Sequence, residues 1–184
     1  MKNKLRIIGG QWKRHQLSFA SIDGLRPTPD RVRETLFNWL MWDIQHARVL
    51  DVCTGSGALA FEALSRGAQS VCMIEPNVTQ VKHLQQNIDL LDAKAQCSLH
   101  VGTAQVILNK ITDTFDVVFL DPPYSLDLWQ TLAEHIEPRL SEGAFIYIEA
   151  DRDLSTLQLP HDWIQKKQLK AGAIRAGLYQ KSSY

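Results

Sequence analysis

Cysteine is scarce in this chain. Three of 184 residues are Cys, at positions 53, 72 and 97. The number is odd, the spacing wide, and each lies in an apolar or strand-like stretch, so Cys53, Cys72 and Cys97 read as free thiols in a reducing compartment and not as a disulfide framework. The six histidines form no HxxxH pair and the cysteines no CxxC pair, so no two ligands share a face and no structural zinc is expected. No apolar run approaches the roughly 18 residues of a membrane span. The opening MKNKLRIIGG lacks the apolar segment a signal peptide needs. Internal repeats and low-complexity tracts are absent too. The expectation is a cytoplasmic protein without a membrane partner.

An excess of either charge is also missing: 20 Lys and Arg balance 20 Asp and Glu, with 45% hydrophobic and 22% charged residues. That composition and length describe one domain over 1–184 and leave little room for a two-domain dehydrogenase. The balance hides an asymmetry. Residues 1–33 hold Lys2, Lys4, Arg6, Lys13, Arg14, Arg26, Arg31 and Arg33 against Asp23 and Asp30, a local charge of +6 that the remainder cancels. A basic block on an acidic domain suits a polyanion, because each cation on a phosphate releases a condensed counterion. An ordinary solvated face would look the same from charge alone.

Between residues 48 and 150 short apolar runs alternate with helix-like stretches, the pattern of a parallel sheet with helices on both faces. Strands are expected at 48–52, 70–75, 97–101, 115–120 and 144–149, each a near-continuous apolar run as in strands covered on both faces. The stretch 58–66 is rich in Ala and Leu and ends Arg66-Gly67, a cation in the last turn followed by a C′ glycine. Val81, Leu84, Ile88 and Leu91 mark one apolar helix face. Residues 163–169 and 173–179 read as two closing strands joined antiparallel around Ala171-Gly172.

The N-terminal segment differs. β-type residues from Arg6 to Phe19 surround Gly9-Gly10, a candidate hairpin turn, and Thr28-Pro29 suggests a helix with Thr28 as N-cap. Val32, Leu36 and Trp39 then fall on an inward face. Arg31, Glu34 and Asn38 form a polar stripe, either solvated or closing over a ligand as a lid.

Two motifs carry chemistry. Val49-Leu-Asp51-Val-Cys53-Thr-Gly55-Ser56-Gly57-Ala-Leu-Ala60 runs from a strand through a glycine turn into a helix, where Gly55 and Gly57 let the backbone approach a ligand. Glu75 closes the next strand, and a carboxylate there can accept both ribose hydroxyls. The spacing also fits the dinucleotide fingerprint of NAD. Asp51 favours S-adenosylmethionine, since a pyrophosphate would meet like charge at the strand end, whereas a sulfonium and an ammonium are attracted to it.

The second motif, Asp121-Pro122-Pro123-Tyr124, follows the fourth core strand. Two prolines end the ladder and stiffen a loop at the edge where open α/β folds bind ligands. Methylation of an exocyclic amine suits this loop. Such a nitrogen is a poor nucleophile until its NH₂ donates to acceptors that localise the lone pair, and the Asp121 carboxylate and Pro122 carbonyl are natural acceptors. Pro123 adds rigidity, which serves positioning. Tyr124 can stack on the base, which must be flipped out or already unpaired.

With these motifs the chain resembles the bacterial small-subunit ribosomal RNA guanine-N2 methyltransferases, within the class I S-adenosylmethionine-dependent enzymes of the Asp-Pro-Pro-Tyr type. The resemblance spans Arg6-Ile-Ile-Gly-Gly10 with Trp12, Leu25-Arg-Pro-Thr28, Asp30-Arg-Val-Arg-Glu-Thr-Leu-Phe-Asn38 and Gly55-Ser-Gly-Ala-Leu59. It continues through Glu62-Ala-Leu-Ser-Arg-Gly-Ala68, Asp121-Pro-Pro-Tyr124, Tyr147-Ile-Glu149 and Leu178-Tyr179.

The resemblance implies an α/β, Rossmann-like, doubly wound sheet of seven mostly parallel strands, the last antiparallel, with an N-terminal β-hairpin and helix extension. It implies methyl transfer to N2 of a guanine in 16S rRNA of the small ribosomal subunit, by a monomer to which ribosomal proteins could present the target. Asp51, Gly55, Ser56 and Gly57 would hold the methionine end of the cofactor, Glu75 its ribose, and Thr103-Ala104 its adenine, although Asn or Asp is common at that last place. Cys53-Thr54 stands where Phe-Ala is frequent. Asp121, Pro122, Pro123 and Tyr124 would be catalytic. Residues 1–42 become an RNA-binding or lid extension on a core of 43–184, with Arg6, Lys13, Arg14, Arg26 and Arg31 as phosphate contacts. An N6-adenine or N4-cytosine DNA methyltransferase could use the same loop. A catalytically silent RNA-binding assembly factor is the remaining alternative.

Overall fold

The computed structural model describes residues 3–183. Its centre is a seven-stranded sheet of β3 (Arg48–Asp51), β4 (Ser70–Glu75), β5 (Cys97–Val101), β6 (Phe115–Leu120), β7 (Leu140–Ala150), β8 (Trp163–Ala171) and β9 (Ile174–Lys181), in the order β5-β4-β3-β6-β7-β9-β8. The first five are parallel; β9 is antiparallel to both β7 and β8. The chain enters at β3, steps outward to β5, returns beside β3 as β6 and steps the other way. The carboxyl ends of β3 and β6 therefore form the switch point where open α/β sheets take ligands.

Side-chain alternation along the strands divides the core between the two faces. Val49, Val71, Met73, Val117, Phe119 and Tyr147 pack against α1 (Asp30–Trp39), α2 (Ala58–Ser65) and α3 (Val78–Leu90). Leu50, Cys72, Ile74, Val118, Leu120 and Ile148 pack against α4 (Ala104–Leu108) and α5 (Trp129–Ile136). α2 is buried along its whole length. As expected, it ends at Arg66 with Gly67 beyond it at a positive φ of 108°. All three cysteines are free. Among the described residues no helix is long and apolar enough to cross a membrane.

Four local expectations are corrected. The N-terminal hairpin forms between β1 (Asn3–Arg6) and β2 (Gln16–Phe19), but Arg6 pairs with Gln16 across a nine-residue connection in place of a tight Gly9-Gly10 turn. Those glycines serve docking: a Cβ on Gly10, at φ 76°, would lie 1.9 Å from the Ser65 carbonyl oxygen at the end of α2. Thr28 does not cap α1. Pro29 holds that position with no side-chain cap bond, and the Thr28 hydroxyl is used elsewhere. The strand expected at 144–149 begins at Leu140, because a register shift between Phe115 and Val117 extends its pairing with β6. The strand at 97–101 is a sheet edge with half-buried or exposed residues, so its apolar character does not mean cover on both faces.

Along α1, Val32 and Leu36 turn inward as expected and Trp39 is half-buried, but Arg33 and Phe37 are buried too.

Candidate active site

Four adjacent parallel strands each carry two apolar residues followed by an acid within one residue of their carboxyl ends: Ile74 before Glu75, Leu50 before Asp51, Leu120 before Asp121, Ile148 before Glu149. The apolar pairs belong to the two core faces, and the acid emerges where the ladder ends. Asp51, Glu75 and Glu149 are buried, Asp121 half-buried. None of these four carboxylates takes part in an ion pair among the described residues. A line of uncompensated negative charge at a switch point is costly in a free protein, and a cationic ligand relieves it.

The glycine turn lies against the first two acids. The Thr54 hydroxyl donates to the Asp51 carbonyl and accepts from Ile74 N–H, both at 3.0 Å, which ties the turn to β4. Gly55, at φ 55°, donates its N–H to Glu75 Oε1 at 2.9 Å, and Asn77 N–H donates to Oε2 at 2.8 Å. Ser56 is buried and its hydroxyl accepts from Ala58 N–H. Gly57 sits at φ 83°, where a Cβ would strike Phe61 and Leu84. Burial and the neighbouring Glu75 charge raise the Asp51 carboxyl to about 7. Burial raises Glu75 as well, against the two backbone N–H bonds. The Cys53 thiol is pushed up by burial and by the charges of Asp51, Asp121 and Glu75, so it is no nucleophile.

Around Asp121 the groups are hydroxyls. The Thr28 hydroxyl donates to Glu149 Oε2 at 2.9 Å and stands 3.5 Å from Asp121 Oδ2. Tyr147 donates to Oε2 at 2.8 Å and Tyr124 to Oε1 at 3.0 Å. The Tyr124 ring stacks on Trp129 with centroids 6.1 Å apart, and the Trp129 indole N–H donates to the Glu149 carbonyl. Burial and the charges of Glu149 and Asp51 hold the Asp121 carboxyl well above the ordinary carboxylate range, opposed by Thr28. Burial and Glu149 raise Tyr124 and Tyr147 also, so both phenols stay protonated donors.

The other predicted residues separate into two places. Thr103, exposed, precedes α4 just after Gly102, whose N–H donates to the Glu75 carbonyl, and so flanks Glu75; Ala104 is buried. Arg26 and Arg31 are exposed beside Thr28 at the carboxyl edge. Arg6, Lys13 and Arg14 are exposed too, but Gln11 and Trp12 N–H groups bond to Ser65 at the far end of α2, so Lys13 and Arg14 face the amino edge of the sheet. The stripe of Arg31, Glu34 and Asn38 is solvent-exposed and makes no ion pair among the described residues. The segment that meets the glycine turn is instead residues 20–29, where Leu25 Cδ1 lies 2.9 Å from a Cβ built on Gly55.

Sequence reasoning did not single out Thr28, Leu25 or Glu149 for the site. The signal was present as the fourth apolar-apolar-acid strand end.

The whole chain then finds its relatives. The family model described as conserved hypothetical protein 95 matches residues 5–180. The chain belongs to this family. Curated proteins named ribosomal RNA small subunit methyltransferase D resemble it over nearly full length: that of Haemophilus influenzae is 38% identical over 97% of this chain and 95% of its own, and that of Escherichia coli K12 is 36% identical over 98% and 91%. A solved methyltransferase of Escherichia coli superposes with a TM-score of 0.91 at 36% identity, covering 99% of this chain and 100% of that one. A methyltransferase complexed with SAH shares the fold at a TM-score of 0.71 and 15% identity, covering 90% of this chain and 53% of its own. The sheet of the conserved hypothetical protein 95 family member described above is accordingly the class I methyltransferase sheet, extended at its N-terminus by the β1–β2 hairpin and α1.

Proposed function

We propose that the chain transfers a methyl group from S-adenosylmethionine to the exocyclic N2 of a guanine in 16S rRNA. The observation that carries the reading is the uncompensated carboxylate line at the switch point, ending in the Asp121–Tyr124 loop. It suits a ligand with two positive charges and an amine to be methylated. The names of the relatives support the rRNA substrate class.

S-adenosylmethionine supplies an electrophilic methyl group on a sulfonium. Asp51 and the Gly55-Ser56-Gly57 turn fit its methionine end, Glu75 its ribose hydroxyls, and Thr103-Ala104 its base. The target base stacks on the Tyr124 face turned away from Trp129. Its NH₂ donates to the Asp121 carboxylate and the Pro122 carbonyl, which localises the nitrogen lone pair. Pro122 and Pro123 hold these acceptors still, so little reorganisation remains for the reacting geometry. As the nitrogen takes the methyl it loses one proton, which the Asp121 carboxylate can accept. Since Asp121 ionises above the ordinary carboxylate range, turnover rises with pH until it has lost its proton. Residues 1–42 act as an RNA-binding and lid extension on the core of 43–184, with Arg26 and Arg31 contacting phosphates near the target and Arg6, Lys13 and Arg14 further along the RNA. We place this activity in the cytoplasm, with a monomer as the working unit.

The test is transfer of a labelled methyl group from S-adenosylmethionine to small subunits, 16S rRNA and duplex DNA in parallel, with the modified nucleoside identified by mass spectrometry. N2-methylguanosine from ribosomal RNA is expected. A methylated adenine or cytosine in DNA would keep the chemistry and replace the substrate. No label with any acceptor would leave an RNA-binding assembly factor.

A further inference from the structure

We propose that Glu149 is a positioning residue for methyl transfer: its carboxylate gathers the hydroxyls of Thr28, Tyr124 and Tyr147 and thereby locks the 20–29 segment and the Asp121–Tyr124 loop to the end of β7. This rests on the proposed reading of Asp121 and Tyr124.

Glu149 accepts three hydroxyl bonds of 2.8, 2.9 and 3.0 Å, two on Oε2 and one on Oε1. A buried carboxylate so satisfied is a hub and has little capacity left for a substrate. Each spoke leads to a different element. Tyr147 lies two residues earlier on the same face of β7 and packs edge-on to Phe119, which packs edge-on to Phe37 of α1. Tyr124 carries the ring proposed to receive the base, and the bond to Glu149 fixes its tilt beside Trp129. Thr28 ends the segment that covers the glycine turn, and its hydroxyl proton is shared between Glu149 Oε2 at 2.9 Å and Asp121 Oδ2 at 3.5 Å.

The hub also sets the charge that Asp121 feels. The ionisable and charged groups facing this cluster are Arg33 of α1, which donates to the Thr28 carbonyl, Asp51 and Cys53 from the β3 end, Asp121 and Tyr124 after β6, Tyr147 on β7, Asp151 beyond it, and Arg152, which donates to the Tyr124 carbonyl. Glu149 raises the proton affinity of Asp121, and the Thr28 hydroxyl lowers it. Two substitutions should therefore act in opposite senses. Glu149→Gln keeps an acceptor oxygen but removes the charge, so the acid limb of the kcat–pH profile moves to lower pH. Thr28→Val removes a hydroxyl and no charge, so the limb moves to higher pH. A residue that merely fills space would shift thermal stability without giving limb shifts of opposite sign.

Both variants are assayed as full chains for kcat and KM with small subunits across pH, for S-adenosylmethionine affinity, and by carboxyl ¹³C titration of Asp121 without substrate. At pH 7 kcat should fall at least fivefold in Thr28→Val, with cofactor affinity within threefold of the parent. Limbs and titration unmoved in both variants would overturn the proposal. If Glu149→Gln fails to fold, Thr28→Val alone decides by the direction of its shift. If the parent protein labels no RNA, the proposed function fails, and the Asp121 titration still reads the hub independently.

Discussion

Arg33 Nη1 lies 3.4 Å from Glu62 Oε1, with the two side chains 1% and 0% exposed, and this buried pair clamps the N-terminal extension to the core. Glu62 also accepts from Ile8 N–H at 2.9 Å, Gly9 N–H at 3.1 Å and Arg66 Nε at 3.2 Å. Arg33 donates to the carbonyls of Thr28 and Arg6 and to Asp30. Removing one member leaves desolvated partners unpaired, so Glu62→Ala should cost about 3–5 kcal/mol, read from denaturant midpoints. A loss below about 1 kcal/mol would mean that water replaces the carboxylate freely.

Asp121 stands against like charges, and such groups cost stability for the sake of chemistry. Asp121→Asn should raise the melting temperature by a few degrees, keep S-adenosylmethionine affinity within about threefold, and lower turnover by at least a hundredfold, because the amide keeps an acceptor oxygen but loses the charge and basicity that matter most in the transition state. Turnover within tenfold of the parent would show that the Asp121 charge is not needed to activate the amine.

The raised proton affinity of Asp51 fixes two pH dependences. The folded protein keeps a proton that the unfolded chain releases, so the stability held by neutral Asp51 is complete below the ordinary value of 3.8 and is lost as pH rises through about 7. A cation prefers the ionised form, so cofactor affinity should run the other way, rising up to about tenfold per pH unit below 7 and levelling above it. Calorimetric titration between pH 5.5 and 8.5 checks this, and Asp51→Asn should flatten both slopes.

Lys13 and Arg14 face the amino edge, remote from Asp121 along the sheet. Replacing both with Ala should lower the slope of log affinity for 16S rRNA against log salt by roughly 1.5, the loss of two phosphate contacts, and leave cofactor binding unchanged. An unaltered slope in filter binding between 50 and 300 mM salt would take this pair out of the RNA interface.

The parallel core was readable because strand periodicity and glycine turns are local signals. The four strand starts at 48, 70, 97 and 115 agree with the structure, as does the closing antiparallel pair. The misreadings arose where a long-range partner outweighed a local preference. Thr28 before Pro29 has the chemistry of an N-cap, yet Glu149, 121 residues away, takes its hydroxyl. Gly9-Gly10 suits a tight turn, yet Ser65 requires the glycine for close approach. Arg33 counted as one more surface cation because nothing near it in sequence announces Glu62. Asp51, Glu75 and Asp121 could be found through their motifs, whereas Glu149 has no glycine or proline beside it and emerges only when the four strands are aligned by their ends.

The placement of β9 between β7 and β8 has a consequence for synthesis. β7, the longest strand at 11 residues, has its outer edge covered only by β9, the last strand of the sheet to be made. Until residues 174–181 arrive, the nascent chain carries an apolar strand with a full row of unpaired backbone donors and acceptors, the kind of edge that recruits strands from other chains. Premature termination anywhere after β7 would thus yield a sticky fragment and not a smaller working domain, which makes the final hairpin the step at which this protein becomes safe to release.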